Sequence, residues 1–309
     1  AVRRGLHVSE YGILDDATGE TLRCATEEEV YGALGLDWIP PELREGRGEL
    51  EAAAPGGGGL PELVELGDLR GDLHCHTTLS DGTETAETMA QAAIDLGLEY
   101  LAITDHSATH GFGDHVTEDQ LRERIEEIRG LNERLDGFEL LIGTETNILP
   151  DGSPDYPDDL LAELDWVIAS IHTSFGMGAK KMTERLVAAI EHPLVDAIGH
   201  PTGRKIEKRQ PYELEMDRVI EAAARTGTMI EINGSPDRRD LNDVHARAAA
   251  EAGVRILVNS DAHSLRDLAE HPRYGIATAR RAWLTADQVA NTLPWKKLAK
   301  LRKRSKGPA

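Results

Sequence analysis

Cysteine is almost absent from this sequence. Cys24 and Cys75 are the only two in 309 residues, too few for a disulfide framework and in keeping with a reduced, cytoplasmic setting. The scarcity of thiolate also argues against a structural zinc cluster, which favours cysteine ligands. Long apolar runs are missing as well. None approaches the roughly 18 residues needed to span a bilayer, and the N-terminus has no signal-peptide pattern. No Ser-His-Asp or Cys-His set points to a side-chain nucleophile. An initiator Met is lacking too, and the opening Ala1-Val2-Arg3-Arg4 reads as mid-pattern, as expected of a fragment of a longer protein.

What is present is ordinary for a globular chain: 40% hydrophobic and 29% charged residues. The length accommodates one large domain or one domain with an appendage. The net charge of −21 is unevenly placed. Lys296, Lys297, Lys300, Arg302, Lys303, Arg304 and Lys306 give the tail seven positive charges and no acid, leaving −28 on the rest. An acidic body suits a salt-rich cytoplasm, attraction of divalent metal or plain solubility, and the total does not choose among them. The basic tail reads as a solvated, frayed terminus, with a phosphate-contacting arm as the alternative.

Four stretches are expected. Residues 1–54 read as a small α+β piece with too little apolar content for a core of its own. Thr26-Glu27-Glu28-Glu29 resembles a capping box opening a helix that runs through Leu34 and closes at Gly35. Residues 55–67, with four successive glycines from Gly56 to Gly59, read as a flexible linker. From 68 to 295 short apolar runs alternate with amphipathic stretches. Strands are expected at Gly71–Cys75, Tyr100–Thr104, Leu140–Thr144, Trp166–Ile171, Asp196–Gly199, Met229–Ile232 and Arg255–Asn259. Helices are expected at Glu84–Leu96, Thr117–Leu135, Ala179–Glu191, Glu213–Arg225 and Asn242–Ala252. This pattern predicts an α/β fold, a distorted seven-stranded (β/α)7 barrel with a small N-terminal α+β appendage, followed by the basic tail at 296–309.

Metal-ligand side chains fall at the C-terminal ends of those strands. His74 and His76 end the first, with Asp81 in the loop after it; His106, Glu145, His172 and His200 end the second to the fifth; Asp261 and His263 end the seventh. In a parallel barrel these ends share one face, where active sites form. Residues two apart on a strand point the same way, so His74 and His76 can grip one ion while Cys75 faces away as a packing residue. Imidazole and carboxylate without thiolate suit Zn²⁺, Mn²⁺ or Fe²⁺. Nine ligands are too many for one ion, whereas three fit if a carboxylate bridges two. Ions about 3.5–4 Å apart serve in-line displacement at phosphorus by hydroxide attack. His7, His110, His115, His192, His245 and His271 fall elsewhere and read as ordinary polar residues.

The motifs His74-Cys75-His76, Thr104-Asp105-His106, Ser170-Ile171-His172, Gly199-His200-Pro201 and Ser260-Asp261-Ala262-His263 resemble the PHP (polymerase and histidinol phosphatase) superfamily over roughly residues 68 to 295. The resemblance implies a seven-stranded barrel holding two to three divalent ions. By analogy His74, His76, Glu145 and Asp261 hold one ion, Asp81, His106 and His263 a second, and Glu145, His172 and His200 a third. Leu60-Pro61-Glu62-Leu63-Val64-Glu65 before Arg70-Gly71-Asp72-Leu73-His74, and Glu231-Ile232-Asn233-Gly234-Ser235-Pro236, look most like the C-terminal domain of bacterial and archaeal family X DNA polymerases. Leu6-His7-Val8-Ser9-Glu10-Tyr11-Gly12 and Trp38-Ile39-Pro40-Pro41-Glu42-Leu43-Arg44 are similar to the end of their polymerase thumb.

That likeness implies a manganese-favoured 3′–5′ exonuclease, with related 3′-phosphatase or abasic-site cleavage, acting on DNA 3′ ends. It also implies the palm and fingers of the same full-length protein as partner. Residues that bind nucleotide metals for synthesis are not in this sequence, so the chain alone is not expected to polymerise. Arg204, four residues past His200, is the first candidate for gripping a phosphate, followed by Lys180, Lys181 and Arg239. The loop after His106 reads Ser107-Ala108-Thr109-His110-Gly111-Phe112 and is less basic than in relatives. Two other readings compete: a small-molecule phosphatase of the histidinol-phosphate type, disfavoured by the thumb-like start, and a non-catalytic polymerase scaffold, disfavoured by nine intact ligand positions.

Overall fold

The computed structural model describes residues 1–109 and 116–306, so His110 and His115 lie outside the described residues. The chain divides into two compact units, Ala1–Glu62 and Leu63–Ala309. In the first, β1 (Leu6–Ser9), β2 (Gly12–Asp15) and β3 (Thr21–Leu22) form an antiparallel sheet in chain order. Helix α1 (Glu27–Ala33) starts where expected because the Thr26 hydroxyl accepts the Glu29 amide at 3.3 Å. Helix α2 (Glu49–Ala53) follows. Polar contacts supplement the few buried apolar side chains. Arg44 donates to both Glu27 oxygens, at 2.9 and 2.6 Å, and the buried Glu49 carboxylate accepts the Gly46 and Arg47 amides.

The second unit begins earlier than the expected end of the linker at 67. Leu63 and Val64 are already buried, and the Val64 amide donates to Leu284 at 2.9 Å. Seven parallel strands form one sheet in sequential order: β4 (Gly71–Cys75), β5 (Tyr100–Ile103), β6 (Glu139–Asn147), β7 (Trp166–Ser170), β8 (Ala197–Ile198), β9 (Met229–Asn233) and β10 (Ile256–Asn259). Helices α3 (Ala86–Asp95), α4 (Glu118–Asn132), α5 (Asp158–Ala162), α6 (Ala179–Glu191), α7 (Met216–Thr226) and α8 (Asp243–Glu251) follow β4 to β9 in turn. Three helices fall in a stretch left unassigned by periodicity: α9 (Leu265–Glu270), α10 (Pro272–Arg281) and α11 (Trp295–Leu298). Among the described residues no helix is long and apolar enough to cross a membrane.

Strand alternation sorts the core into two layers. Tyr100 and Ala102 of β5, Leu141 of β6, Trp166 and Ile168 of β7, Met229 of β9 and Leu257 of β10 pack together, while Leu101, Ile103, Leu140, Ile142, Val167, Ile230 and Val258 belong to the other layer with the helices. The same parity carries the inward face on to His106, Glu145, His172, Glu231 and Asp261. On β4 a register shift lies between Asp72 and Cys75. Leu73 packs with the inner cluster and the fully buried Cys75 with the outer one, as expected of a packing residue.

The sheet edges β4 and β10 meet across a seam where side chains replace much of the ladder. Asn291 Nδ2 donates to Gly71 and Val258 carbonyls at 3.0 and 2.7 Å, and its Oδ1 accepts the Val258 amide at 3.1 Å. Asp72 accepts the His74 and Ser260 amides, and Asn259 accepts that of Leu73. The basic tail corrects the sequence reading. Rather than a frayed arm, Lys303 donates to Ile190 and His192 carbonyls at 2.7 and 2.6 Å. Arg304 binds the fully buried Asp196 through both carboxylate oxygens. These partners lie just before β8, at the strand end opposite the ligands, so this part of the tail is not an arm over them.

Candidate metal centre

All nine expected ligand positions converge. His74 and His76 Nε2 lie 3.4 and 3.2 Å from Asp261 Oδ1, and 3.4 and 3.6 Å from Glu145 Oε2. Asp81 Oδ2 lies 3.6 Å from His106 Nε2 and 3.3 Å from His263 Nε2. Glu145 Oε1 faces His172 and His200 at 3.2 and 2.9 Å, and its Oε2 is 2.8 Å from His106. Three groupings with atoms close enough to share an ion follow: His76, Asp81, His106 and His263; His74, His76 and Asp261; His106, Glu145 and His172. His76 stands between two of them, its ring stacked on His263 with centroids 4.2 Å apart.

Polar residues around the cluster fix these directions. The loop carrying Asp81 is held by Asp105, which accepts from the Thr77 amide and hydroxyl and the Ser80 hydroxyl, each at 2.7 Å. Gly82 lets that loop fold back, since a Cβ there would sit 2.5 Å from the His76 carbonyl oxygen. His263 donates its Nδ1 proton to the Asp261 carbonyl at 2.9 Å, which leaves Nε2 for Asp81. His200 and Asp261 adopt φ of 26° and 52°, a costly region for residues with a Cβ. Two contacts hold them there: Glu231 accepts the His200 amide at 2.7 Å, and Asn233 donates to Asp261 at 2.9 Å.

Glu145 supplies the test of whether these residues suit cations. Its carboxylate is fully buried, and imidazole nitrogens of His106, His200 and His172 face its oxygens at 2.8, 2.9 and 3.2 Å; burying such a charge without cationic company is costly. Burial opposes its ionisation, but the imidazoles of His172, His74 and His106 outweigh that and hold it well below the usual carboxylate range. Asp261 is buried too, and His74, His76 and His263 likewise hold it well below that range. Burial, with His263 and His106 beside it, pushes His76 down to about 4. Burial takes His172 down to about 3 despite Glu145. Three imidazoles go the other way: Glu145 and Asp81 overcome the burial of His106 and raise it to about 10, Glu231, Glu145 and Asp261 raise His74 against its burial, and Asp81 and Asp261 raise His263. Ionised carboxylates and neutral imidazoles are the forms that ligate metal, and the carboxylates that favour a proton on His106, His74 and His263 equally favour a cation there.

The cluster opens into a cavity of about 230 Å³ lined by Asp81, His106, His200, Lys205, Ser235, Asp237, Arg238, Asp261, His263, Asp267 and His271. Lys205 and Arg238 are its cations, and neither was expected. Arg204 does not line it: its Nε donates to the Arg238 carbonyl at 3.0 Å and its Nη2 to that of Arg239. Arg239 lies over the Tyr274 ring, 5.2 Å from the centroid. Lys180 and Lys181 are exposed at the start of α6. His271, read as ordinary, joins the lining and donates Nδ1 to Ser260 at 2.9 Å. Lys205 follows Arg204 by one position, and the spacing gave no means to choose between them. Glu231 had a signal, because it shares the inward parity of its strand.

Comparison with known proteins agrees with this picture. The profile of the DNA polymerase beta thumb matches residues 1–45, and that of the PHP domain matches residues 72–235. The chain is 41% identical over 305 residues to the DNA polymerase/3′-5′ exonuclease PolX of Bacillus subtilis (strain 168), covering 99% of this chain but only 53% of that protein. It is 36% identical over 208 residues to a probable phosphatase of Caldanaerobacter subterraneus subsp. tengcongensis, covering 64% of this chain and 77% of the relative. The histidinol phosphate phosphatase of Lactococcus lactis, solved with zinc, L-histidinol and phosphate, has a similar fold, with a TM-score of 0.51 at 16% identity over 69% of this chain and 93% of that one. On these matches the chain belongs to the PHP family of phosphoesterases, with a polymerase-beta-type thumb segment ahead of the PHP barrel.

Proposed function

We propose that this chain processes DNA 3′ ends as a metal-dependent phosphodiesterase and phosphomonoesterase, a 3′–5′ exonuclease with related 3′-phosphatase or abasic-site cleavage. The observation that carries this reading is the match to the PolX exonuclease along 99% of the chain, in a molecule where eight of the nine ligand-type residues fall in groups that could share an ion and His200 lies against one of them, Glu145. In a longer protein the palm and fingers of the polymerase would precede the thumb. A cytoplasmic setting accords with two cysteines that form no disulfide.

His74, His76, Glu145 and Asp261 would hold one ion, Asp81, His106 and His263 a second, and Glu145, His172 and His200 a third. Mn²⁺, Zn²⁺ and Fe²⁺ all suit this donor set. Such ions, when bound, neutralise charge on the phosphoryl oxygens and make a nearby water acidic enough to attack phosphorus. Glu145 places one carboxylate oxygen toward each of two ligand groups, the arrangement a bridge requires. Lys205 and Arg238 at the cavity mouth would hold non-bridging phosphate oxygens, replacing Arg204 in that role. Asp105 and Gly82 keep Asp81 over the cavity.

A second reading, hydrolysis of a small phosphate ester, is favoured by the probable phosphatase that matches over 208 residues. Incubating a 5′-labelled single strand and a histidinol-phosphate-like ester side by side with Mn²⁺ separates the two. Shortening of the strand with the ester untouched is expected. Rapid turnover of the ester with an intact strand would replace the first reading by the second.

A further inference from the structure

Of the seven parallel strands, β9 alone offers no ligand, and its Glu231 lies against residues that do. Its carboxylate is fully buried and accepts four donors. Oε1 takes His74 Nδ1 at 2.8 Å and Asn259 Nδ2 at 3.0 Å. Oε2 takes the His200 amide at 2.7 Å and Asn233 Nδ2 at 3.0 Å. Asn233 Nδ2 also reaches Asp261 at 2.9 Å. One carboxylate thus touches or bridges to residues of β4, β8 and β10 that the proposed function makes ligands.

We infer that Glu231 is a positioning residue for the metal centre, setting the His74 tautomer so that Nε2 can ligate and fixing His200 and Asp261 beside it. The inference rests on the metal-dependent reading above. Its logic is one of donors and acceptors. His74 Nδ1 donates to Glu231, so in the neutral ring Nε2 is a bare lone pair. That nitrogen lies 3.4 Å from both Glu145 Oε2 and Asp261 Oδ1, and the three acceptors converge where a cation fits. A carboxylate can serve two donors on each oxygen. A carboxamide of the same shape cannot: whichever way Gln is turned, its NH₂ faces two donors. With the NH₂ on the side of Oε1, His74 could relieve the conflict by moving its proton to Nε2, which would block the ligating position. With it on the side of Oε2, the His200 amide and Asn233 face a donor instead, and the left-handed backbone of His200, with the Asn233 contact to Asp261, loses its tie.

The test is direct titration of chelator-stripped protein with Mn²⁺, read by equilibrium dialysis and elemental analysis. Wild type is expected to take up more than one ion. Glu231→Gln should load at least one of them about 10- to 100-fold more weakly, the range typical of lost outer contacts to a ligand. Its circular dichroism in chelator should match wild type. Glu231→Asp keeps two acceptor oxygens and should recover part of the loading. Loading of the Gln variant equal to wild type, or an Asp variant no better than Gln, overturns the assignment. Should the Gln variant fail to fold, the Asp variant carries the test, because its shorter stem must weaken loading below wild type and unchanged loading refutes the role. A wild type that takes up no metal at all would instead overturn the proposed function, so the two failures are distinct.

Discussion

Lys205 and Arg204 are adjacent, and replacing each in turn separates two accounts of substrate binding. Lys205 lines the cavity, and burial together with Arg238 and Arg209 lowers its pKa, so it is a crowded cation at the cavity. A hydrogen bond to a charged group contributes about 1.5–3 kcal/mol, and Lys205 is only about half buried, so the lower part of that range applies. Lys205→Met should therefore raise KM about 10-fold, at about 1.4 kcal/mol per decade, with metal content unchanged. Arg204 uses its guanidinium on the Arg238 and Arg239 carbonyls. Arg204→Ala should lower stability by about 1–3 kcal/mol and leave KM within about twofold of wild type when assayed well below its unfolding transition. The assay is Mn²⁺-supported shortening of a labelled single strand, with urea unfolding alongside. A raised KM for the Arg204 variant with a normal Lys205 variant would refute the reasoning and restore the guanidinium as the phosphate contact.

Further outcomes are expected. Metal uptake should strengthen with pH: His106 is raised to about 10 by Glu145 and Asp81, so near neutrality an ion must displace its proton. Each displaced proton changes apparent affinity up to about 10-fold per pH unit, and calorimetry in buffers of different ionisation enthalpy should register proton release; pH-independent uptake would exclude it. Gly82→Ala should displace the Asp81 loop, since the new Cβ would meet the His76 carbonyl oxygen at 2.5 Å. Weaker Mn²⁺ loading with a folded barrel, by dialysis and circular dichroism, is the expected result. Arg304→Ala leaves the buried Asp196 without its guanidinium; breaking such pairs costs about 3–5 kcal/mol, reduced here because Asp196 also accepts the Val167 amide. Urea unfolding should show about 2–4 kcal/mol lost with KM unchanged, whereas a phosphate-contacting tail would raise KM instead.

The sequence by itself determined the barrel and the composition of its centre. Period-two alternation and strand spacing are local properties, and they place His106, Glu145, His172 and Asp261 on one inward face without any tertiary information. Capping residues are equally local, so α1, α3, α4 and α8 begin at the side chains of Thr26, Thr85, Thr117 and Asn242. Helices α9 and α10 were illegible because their apolar content is sparse and their faces are defined by what they cover. The tertiary structure alone decided which cation reaches the cavity. Arg204 and Lys205 differ by one position, and only the approach of the loop after β9, with carbonyls that claim Arg204, sends one inward and not the other. It also decided the fate of the basic tail, whose charges meet carbonyls and the Asp196 carboxylate from segments more than 100 residues away. Local patterns specify which face a side chain takes. Partners that arrive from distant parts of the chain decide what it meets there.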